Sequence, residues 1–529
     1  MHQPDKGWWR NAVIYQIYPR SFLDLNKDGI GDLKGIISKI DYLKSLNIDA
    51  IWLSPVFKSP MNDMGYDVSD YFEIDPLFGN MNDFEKLINI CHKNRLKLII
   101  DQVYSHTSDE HPFFKQSEKD KENDKADWYV WADPKEDGGP PNNWLSVFGG
   151  SAWEWSSKRR QYYLHNFLKS QPDLNFHNID VQNWVLSIAD FWLKKGVDGF
   201  RLDVANYYFH DLKLRDNPTK KNIKEPLANP YGMQDHKYSI NQKENLSFLK
   251  KLRNVSEKYK NSILLGEIDN KDLQIKYTEG GDKLHLAYSF ELLRKELSPY
   301  SIQKNIDYFY SSTKDGWPCW SFSNHDVKRH ISRWSKDKND LNDLAKISCA
   351  LLLSLKGTVC IYQGEELGQT ETALEFEELI DPPGIKFWPE EAGRDGCRTP
   401  MVWDSKKSNA GFSETEPWLP IKKKQIKNAV DLQEDKDDSV LSFYKNMIKA
   451  RKDHFRGIYD FDFISSDDLL IFSKGSSEKI ICIFNLDNET KSLNKNNYQY
   501  NSAFPSNKLS IEKDYFLFQP YGFGFFNLR

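Results

Sequence analysis

The chain has 529 residues, a net charge of −5 and 16 tryptophans. That length supports a large core and more than one domain. The mild negative charge, with lysines scattered over polar stretches, makes no case for nucleic acid or an anionic membrane as partner, and no run reaches the roughly 18 apolar residues of a membrane helix. The first β-like run is Val13–Ile17. Asp24 to Asp32 then presents oxygens at alternate positions around Gly29, like the first part of an EF-hand loop without its closing glutamate. Such a loop suits Ca2+ or Mg2+, or is an Asp/Asn-rich turn. Helical periodicity follows at Ile36–Leu46, a strand at Ala50–Leu53, a helix at Met81–Asn94 and a strand at Leu96–Asp101. Tyr104 to Asp173 breaks the alternation with polar, Pro- and Gly-containing sequence and reads as an inserted subdomain. Beyond it the pattern resumes: helix Val185–Lys195, strand Gly199–Asp203, helix Leu246–Lys260, strands Ile263–Glu267, Leu284–Tyr288 and Trp320–Phe322, helix Asp340–Ser354, strand Val359–Tyr362. Eight strands alternating with helices predict an α/β fold, a (β/α)8 barrel. Gly368–Gly396 is an acidic loop segment expected to cover the barrel mouth. Short β runs from about Ile458 (Leu469–Ser473, Ile480–Asn485, Tyr515–Gln519) predict a C-terminal antiparallel β domain. The expected division is 1–103 with 174–456 as the barrel, 104–173 as the insert and 457–529 as a β-sandwich.

The most informative stretch is Gly196-Val-Asp-Gly-Phe-Arg201-Leu-Asp203-Val-Ala205. Residues two apart share a strand face, so Arg201 lies beside Asp203 and is expected to keep that carboxylate ionised. A carboxylate at a strand's C-terminal end is a nucleophile or one half of a wall ion pair. Three more apolar runs also end in acids: Leu98–Asp101, Ile263–Glu267, and Cys319 onward to Asp326. Four strand-end acids are hard to reconcile with wall ion pairs. They predict one shared mouth where chemistry occurs.

These motifs resemble the α-amylase family of glycoside hydrolases, in its α-glucosidase and oligo-1,6-glucosidase branch, over nearly the whole chain. The matching segments are Gln16–Phe22, Asp101–His106, Gln171–Asn175, Gly199–Asp203, Glu267, Ser323–Asp326 and Tyr362–Gly368. The resemblance implies a retaining, exo-acting α-glucosidase with possible transglucosylation, in which Asp203 is the nucleophile, Glu267 the acid and base, and Asp326 the acid that holds ring hydroxyls. It implies that Tyr66, His106 and His325 contact the glucose, that Asp63 and Arg398 pair to grip its 4-hydroxyl, and that Gln171 reaches the substrate. It places Arg201 beside the nucleophile as a substrate-binding residue and Arg329 near the aglycone, with Phe148 and Phe167 as pocket walls or core. It also implies a structural Ca2+ or Mg2+ held by Asp24, Asn26, Asp28, Asp32 and the Ile30 carbonyl. Ser105 stands where the family commonly has asparagine. Val204 after the nucleophile hints at α-1,6 cleavage, worth only about 1–3 kcal/mol. The expected partner is a small α-glucoside. Sucrose, trehalose or its phosphate, and glucosylglycerol stay open as substrates, and a monomer or homodimer as the assembly. A non-catalytic scaffold would have lost one of the three acids, and all are present. No apolar leader is visible at the N-terminus, and six dispersed cysteines fit free thiols, so a cytoplasmic location is expected.

Overall fold

The computed structural model describes residues 7–223, 225–288, 290–335 and 340–528. Eight parallel strands form one sheet: β1 (Val13–Ile17), β2 (Ala50–Leu53), β3 (Lys97–Gln102), β4 (Gly199–Leu202), β5 (Ile263–Glu267), β6 (Leu286–Tyr288), β7 (Cys319–Trp320) and β8 (Thr358–Tyr362). They neighbour one another in chain order, and β8 returns to β1 with Val13 opposite Val359. The last gap, between β6 and β7, is closed by a parallel bridge from Ala287 to Pro318. The barrel is thus complete, and all eight predicted strands are present.

The strands read as continuous apolar runs because both faces are buried. Alternate residues separate cleanly. Ile14, Trp52, Ile99, Leu265, Tyr288, Cys319 and Cys360 pack together inside the barrel. Val13, Ile51, Leu98, Phe200, Leu264 and Ile361 face the surrounding helices. Arg201 alternates with Phe200 and Leu202 and therefore takes an interior position that a barrel normally gives to an aliphatic side chain.

The helix predicted at Ile36–Leu46 is two short helices, Leu33–Ser38 and Ile40–Ser45, broken at Lys39. The helix before β4 begins at Ile179, capped by Asn178, six residues ahead of its apolar periodicity. It ends at Gly196, whose left-handed φ of 104° reverses the chain into the strand. Helices Pro299–Ser312 and Val440–His454 were not expected, since their polar faces hide the period.

Within 104–173, Trp131–Ala132, Trp153–Ser156 and Gln161–Leu164 make a three-stranded antiparallel sheet. The C-terminal strands are antiparallel as expected. Their seven strands are hydrogen-bonded into one connected set, in which Tyr515–Leu528 pairs with partners at both its ends and turns at Tyr521 (φ 58°), so that the Phe516 and Phe526 rings pack with centroids 4.6 Å apart. All six cysteines are buried and unpaired. No described helix is long and apolar enough to cross a membrane.

One side chain of helix Val440–His454 reaches three backbone carbonyls at the end of the preceding barrel helix and its loop. The fully buried Arg451 donates to the carbonyls of Leu353 (2.6 Å), Leu355 (3.0 Å) and Gly357 (2.5 Å). R451M orphans these acceptors, each worth about 1–3 kcal/mol when buried. We expect a clear drop in Tm by calorimetry; a wild-type Tm would contradict the assignment.

Candidate active site

The parallel register brings the strand-end residues together. Asp101 on β3 sits opposite Arg201 on β4, and Glu267 on β5 opposite Tyr288 on β6. Arg201 Nη1 lies 2.8 Å from Asp101 and 2.6 Å from Asp203, and its Nη2 lies 2.8 Å from Glu267 Oε2. One guanidinium therefore serves three carboxylates. It is enclosed by the rings of Trp52 and Tyr288, whose centroids lie 5.0 and 5.8 Å from its carbon.

This sharing corrects the expectation that Arg201 simply keeps Asp203 ionised. Three carboxylates against one positive charge cannot all ionise cheaply in a water-poor site. Burial pushes Asp203 up to about 7, and Arg201 only partly opposes it. Glu267 is pushed up to about 7 by the same burial, opposed by Arg201 and reinforced by Asp203 and Asp326. The two titrate as a pair, and near neutrality the pair retains a proton.

Asp326 has the opposite character. Burial disfavours its charge, yet His325, Arg394 and Arg398 together hold it well below the usual carboxylate range. Its Oδ1 lies 3.1 Å from Arg398 and 3.4 Å from Arg394. Two kinds of carboxyl thus face one cavity of about 420 Å3: a proton-retaining pair and a fixed anion.

The turn after β4 sets the spacing of the pair. Val204 has φ 35°, a left-handed conformation that is strained for a β-branched residue. It aims its own N–H at Glu267 Oε2 (2.9 Å), and Ala205 donates to the Glu267 carbonyl (3.0 Å).

The neutral partners are arranged around this core. His325 lies between the rings of Tyr18 and Tyr66, with centroids at 5.5 and 5.4 Å. Its Nδ1 meets Gln16 Nε2 at 2.7 Å and its Nε2 meets the Tyr66 hydroxyl at 2.6 Å. Burial drives His325 down to about 3 and His106 to about 4, so both imidazoles are neutral at pH 7. The Ser105 hydroxyl reaches His106 Nδ1 directly at 2.8 Å.

Asp63, Tyr66, His106, Phe148, Phe167, Asp203, Glu267, His325 and Asp326 all line the cavity. Four expected contacts do not, and the first is Arg201, fully buried among its carboxylates. Arg398 is fully buried and donates to the His325 carbonyl (2.7 Å) and Asp326. The guanidinium facing Asp63 belongs to Arg394, at 2.8 Å, also bound to Asp381. Gln171 is buried behind the wall, donating to Asp63 at 3.0 Å. Arg329 is buried as a brace to the carbonyls of Gln363 (2.9 Å) and Cys397 (3.0 Å). Arg394, Tyr288 and Trp52 went unassigned in the sequence. Arg394 lies four residues before Arg398; Tyr288 ends an apolar run and Trp52 lies within one, and both runs read as core.

One side of the cavity is built by the loop after β4. Tyr207, Leu227, Asn229 and Tyr231 line it, and Asn229 Nδ2 donates to the Val147 carbonyl at 2.8 Å, linking this loop to the insert. In the 24–32 loop, Asp24 accepts the N–H groups of Lys27 (2.7 Å) and Gly29 (2.9 Å). Asp32 accepts those of Leu25 and Asn26 (both 2.9 Å), Asp28 accepts that of Ile30 (2.9 Å), and Asn26 accepts that of Asp28 (3.1 Å). No three His, Cys, Asp or Glu side chains among the described residues converge to hold an ion.

Residues 16–459 match the family model for the α-amylase catalytic domain. The chain is 51% identical to a probable α-glucosidase of Rhizobium meliloti, over 92% of this chain and 91% of that protein. It is 39% identical to the oligo-1,6-glucosidase of Heyndrickxia coagulans, over 92% and 94%. A crystal structure of the α-glucosyl transfer enzyme XgtA superposes with a TM-score of 0.95 at 45% identity, covering 99% of this chain and 100% of that one.

The raised Glu267 carries a stability consequence. In the unfolded chain this carboxyl ionises near its ordinary 4.5; folded, it keeps its proton to about 7. Its favourable contribution is present below 4.5 and is lost as pH rises to about 7. The Tm of E267Q should therefore gain on wild type across that window and hold a steady lead above it. A difference independent of pH would contradict the raised carboxyl.

Proposed function

The chain belongs to the α-amylase family of glycoside hydrolases and acts on α-glucosides, and on that premise we propose that it is a retaining, exo-acting α-glucosidase of disaccharides and short α-glucosides. The observation that carries the proposal is the pair Asp203 and Glu267, held by neighbouring nitrogens of one guanidinium. Retention requires two carboxyls about 5–5.5 Å apart, with no room for a water between them. A single bridging guanidinium favours that short separation.

Asp203 attacks the anomeric carbon while Glu267 gives its proton to the leaving oxygen. The glucosyl-enzyme is then released by water that Glu267 deprotonates. Asp326, held anionic, grips ring hydroxyls and favours the positive charge that develops on the sugar. Exo action is supported by the ion-paired wall of Asp63 and Arg394, the latter 4.9 Å over the Phe148 ring. These groups suit the terminal glucose hydroxyls, with the 104–173 insert supplying the aromatic side of the pocket. Transfer to another alcohol uses the same intermediate, and the α-glucosyl transfer enzyme XgtA is similar to this chain over its full length.

The test is the anomer first released from maltose, isomaltose or sucrose, read by proton NMR before mutarotation. α-Glucose is expected, and initial β-glucose would overturn retention. D203N should lower kcat by at least about 10³-fold, in line with loss of a nucleophile or its partner acid.

We further propose that the 24–32 loop takes a structural Ca2+ or Mg2+ through Asp24, Asn26, Asp28, Asp32 and the Ile30 carbonyl. Hard oxygen donors suit either ion. No ion pair engages the three carboxylates among the described residues, and Lys27 turns to Glu414 (2.8 Å) instead. Removal by EDTA should lower the Tm and Ca2+ or Mg2+ should restore it. An unchanged Tm would exclude the ion. Six buried thiols support a reducing, cytoplasmic setting.

A further inference from the structure

Tyr288 ends β6 at the barrel's interior and is buried beside the carboxylate pair. Its hydroxyl accepts from Arg201 Nη2 at 2.7 Å and from Nε at 3.2 Å. With both acceptor directions taken by a permanent cation, its own proton is left to be donated. The one acceptor it reaches is Glu267 Oε1, at 3.1 Å.

The two oxygens of Glu267 then differ. Oε2 accepts the Val204 N–H at 2.9 Å and lies 2.8 Å from the Arg201 cation. A proton there would displace a fixed donor and face a positive charge. Oε1 has one neutral donor, the Tyr288 phenol, and a second lone pair that is free.

We propose that Tyr288 is a positioning residue that fixes the rotation of the Glu267 carboxyl and makes Oε1 the oxygen that delivers the acid proton. The inference rests on the role of Glu267 given above. In the step itself, the Oε1–H bond breaks as its hydrogen bonds to the glycosidic oxygen. The bond from that oxygen to the anomeric carbon breaks as Asp203 bonds to the carbon. The aglycone leaves as a neutral alcohol, and Glu267 is left as the carboxylate.

A phenol that donates to Oε1 also favours the ionised form of Glu267. The other groups facing this carboxyl are Asp101, Arg201, Asp203, Tyr207 and Asp326. They are unchanged in a Tyr288→Phe variant, so the alkaline limb of the pH profile should move upward when the phenol is removed.

Leaving-group dependence separates this role from a structural one. Fluoride departs without protonation, whereas the alcohol of maltose or isomaltose needs it. Wild type, Y288F and E267Q are compared on α-glucosyl fluoride and on the preferred disaccharide. The rates compared are kcat/KM, which report glycosylation and not the shared release step, and their ratio in one preparation is independent of the fraction that folded. E267Q should lose about 10²-fold or more on the disaccharide relative to the fluoride, as expected for loss of a general acid. Y288F should show the same selective loss, about tenfold or more, with its alkaline limb raised.

Equal loss by Y288F on both substrates, while E267Q remains selective, would overturn the proposal. It would mean that the phenol acts only through Arg201 and Asp203. If E267Q itself shows no selectivity, the acid role of Glu267 falls, and the role of Tyr288 falls with it.

Discussion

One guanidinium, that of Arg201, is the constraint on which the active site depends. It occupies an interior barrel position and reaches carboxylates from three consecutive strand ends. Its neighbours are set by register: Asp101 directly opposite on one side, Leu265 on the other, with Glu267 two residues beyond Leu265. A slip of one residue in any of these pairings would turn an acid out of the mouth. The aromatic enclosure by Trp52 and Tyr288 keeps water from the cation, and its strength as a partner rises accordingly. Yet a single positive charge cannot neutralise three acids. Burial, which that one charge only partly offsets, is what leaves a proton on the pair at neutral pH.

The anionic side is governed by a second group of charges. Arg394 joins Asp63, Asp381 and Asp326, while Arg398 braces Asp326 from behind. With His325, these two guanidinia explain why Asp326 stays ionised where the Asp203–Glu267 pair keeps a proton, although all three are buried. Between the two groups lies His325, neutral and stacked between tyrosines. At neutral pH the imidazole donates or accepts hydrogen bonds at this point, to Gln16 and the Tyr66 hydroxyl. The site therefore divides three chemically similar acids into distinct protonation states by unequal access to arginine.

Much of this was legible in the sequence because barrel strands carry a strong signal. Apolar runs ending in an acid marked β3, β4 and β5 and put Asp101, Asp203 and Glu267 at one mouth. What stayed hidden depended on which of several equivalent donors turns inward. Arg394 and Arg398 lie on one short helical turn, and only packing decides that the first faces the cavity and the second is buried. Gln171 and Arg329 come from motifs around the site but point behind its wall, to Asp63 and to backbone carbonyls. Tyr288 and Trp52 look like core residues and are core residues; their polar atoms, invisible to hydrophobic patterning, reach Glu267 and Asp101.

The backbone after β4 shows how the spacing of the two catalytic carboxyls is fixed. Asp203 donates its N–H to Gln102 and so ends the strand ladder in register. The next residue, Val204, adopts a left-handed conformation that costs of order 1–3 kcal/mol. The return on that strain is a pair of amides, from Val204 and Ala205, both directed at Glu267. The acid is thus bonded to the peptide that immediately follows the nucleophile. A separation set by side-chain rotamers alone would drift with thermal motion. One set by adjacent backbone is held to the tolerance of a hydrogen bond, which is the tolerance that choosing between direct attack and an interposed water requires.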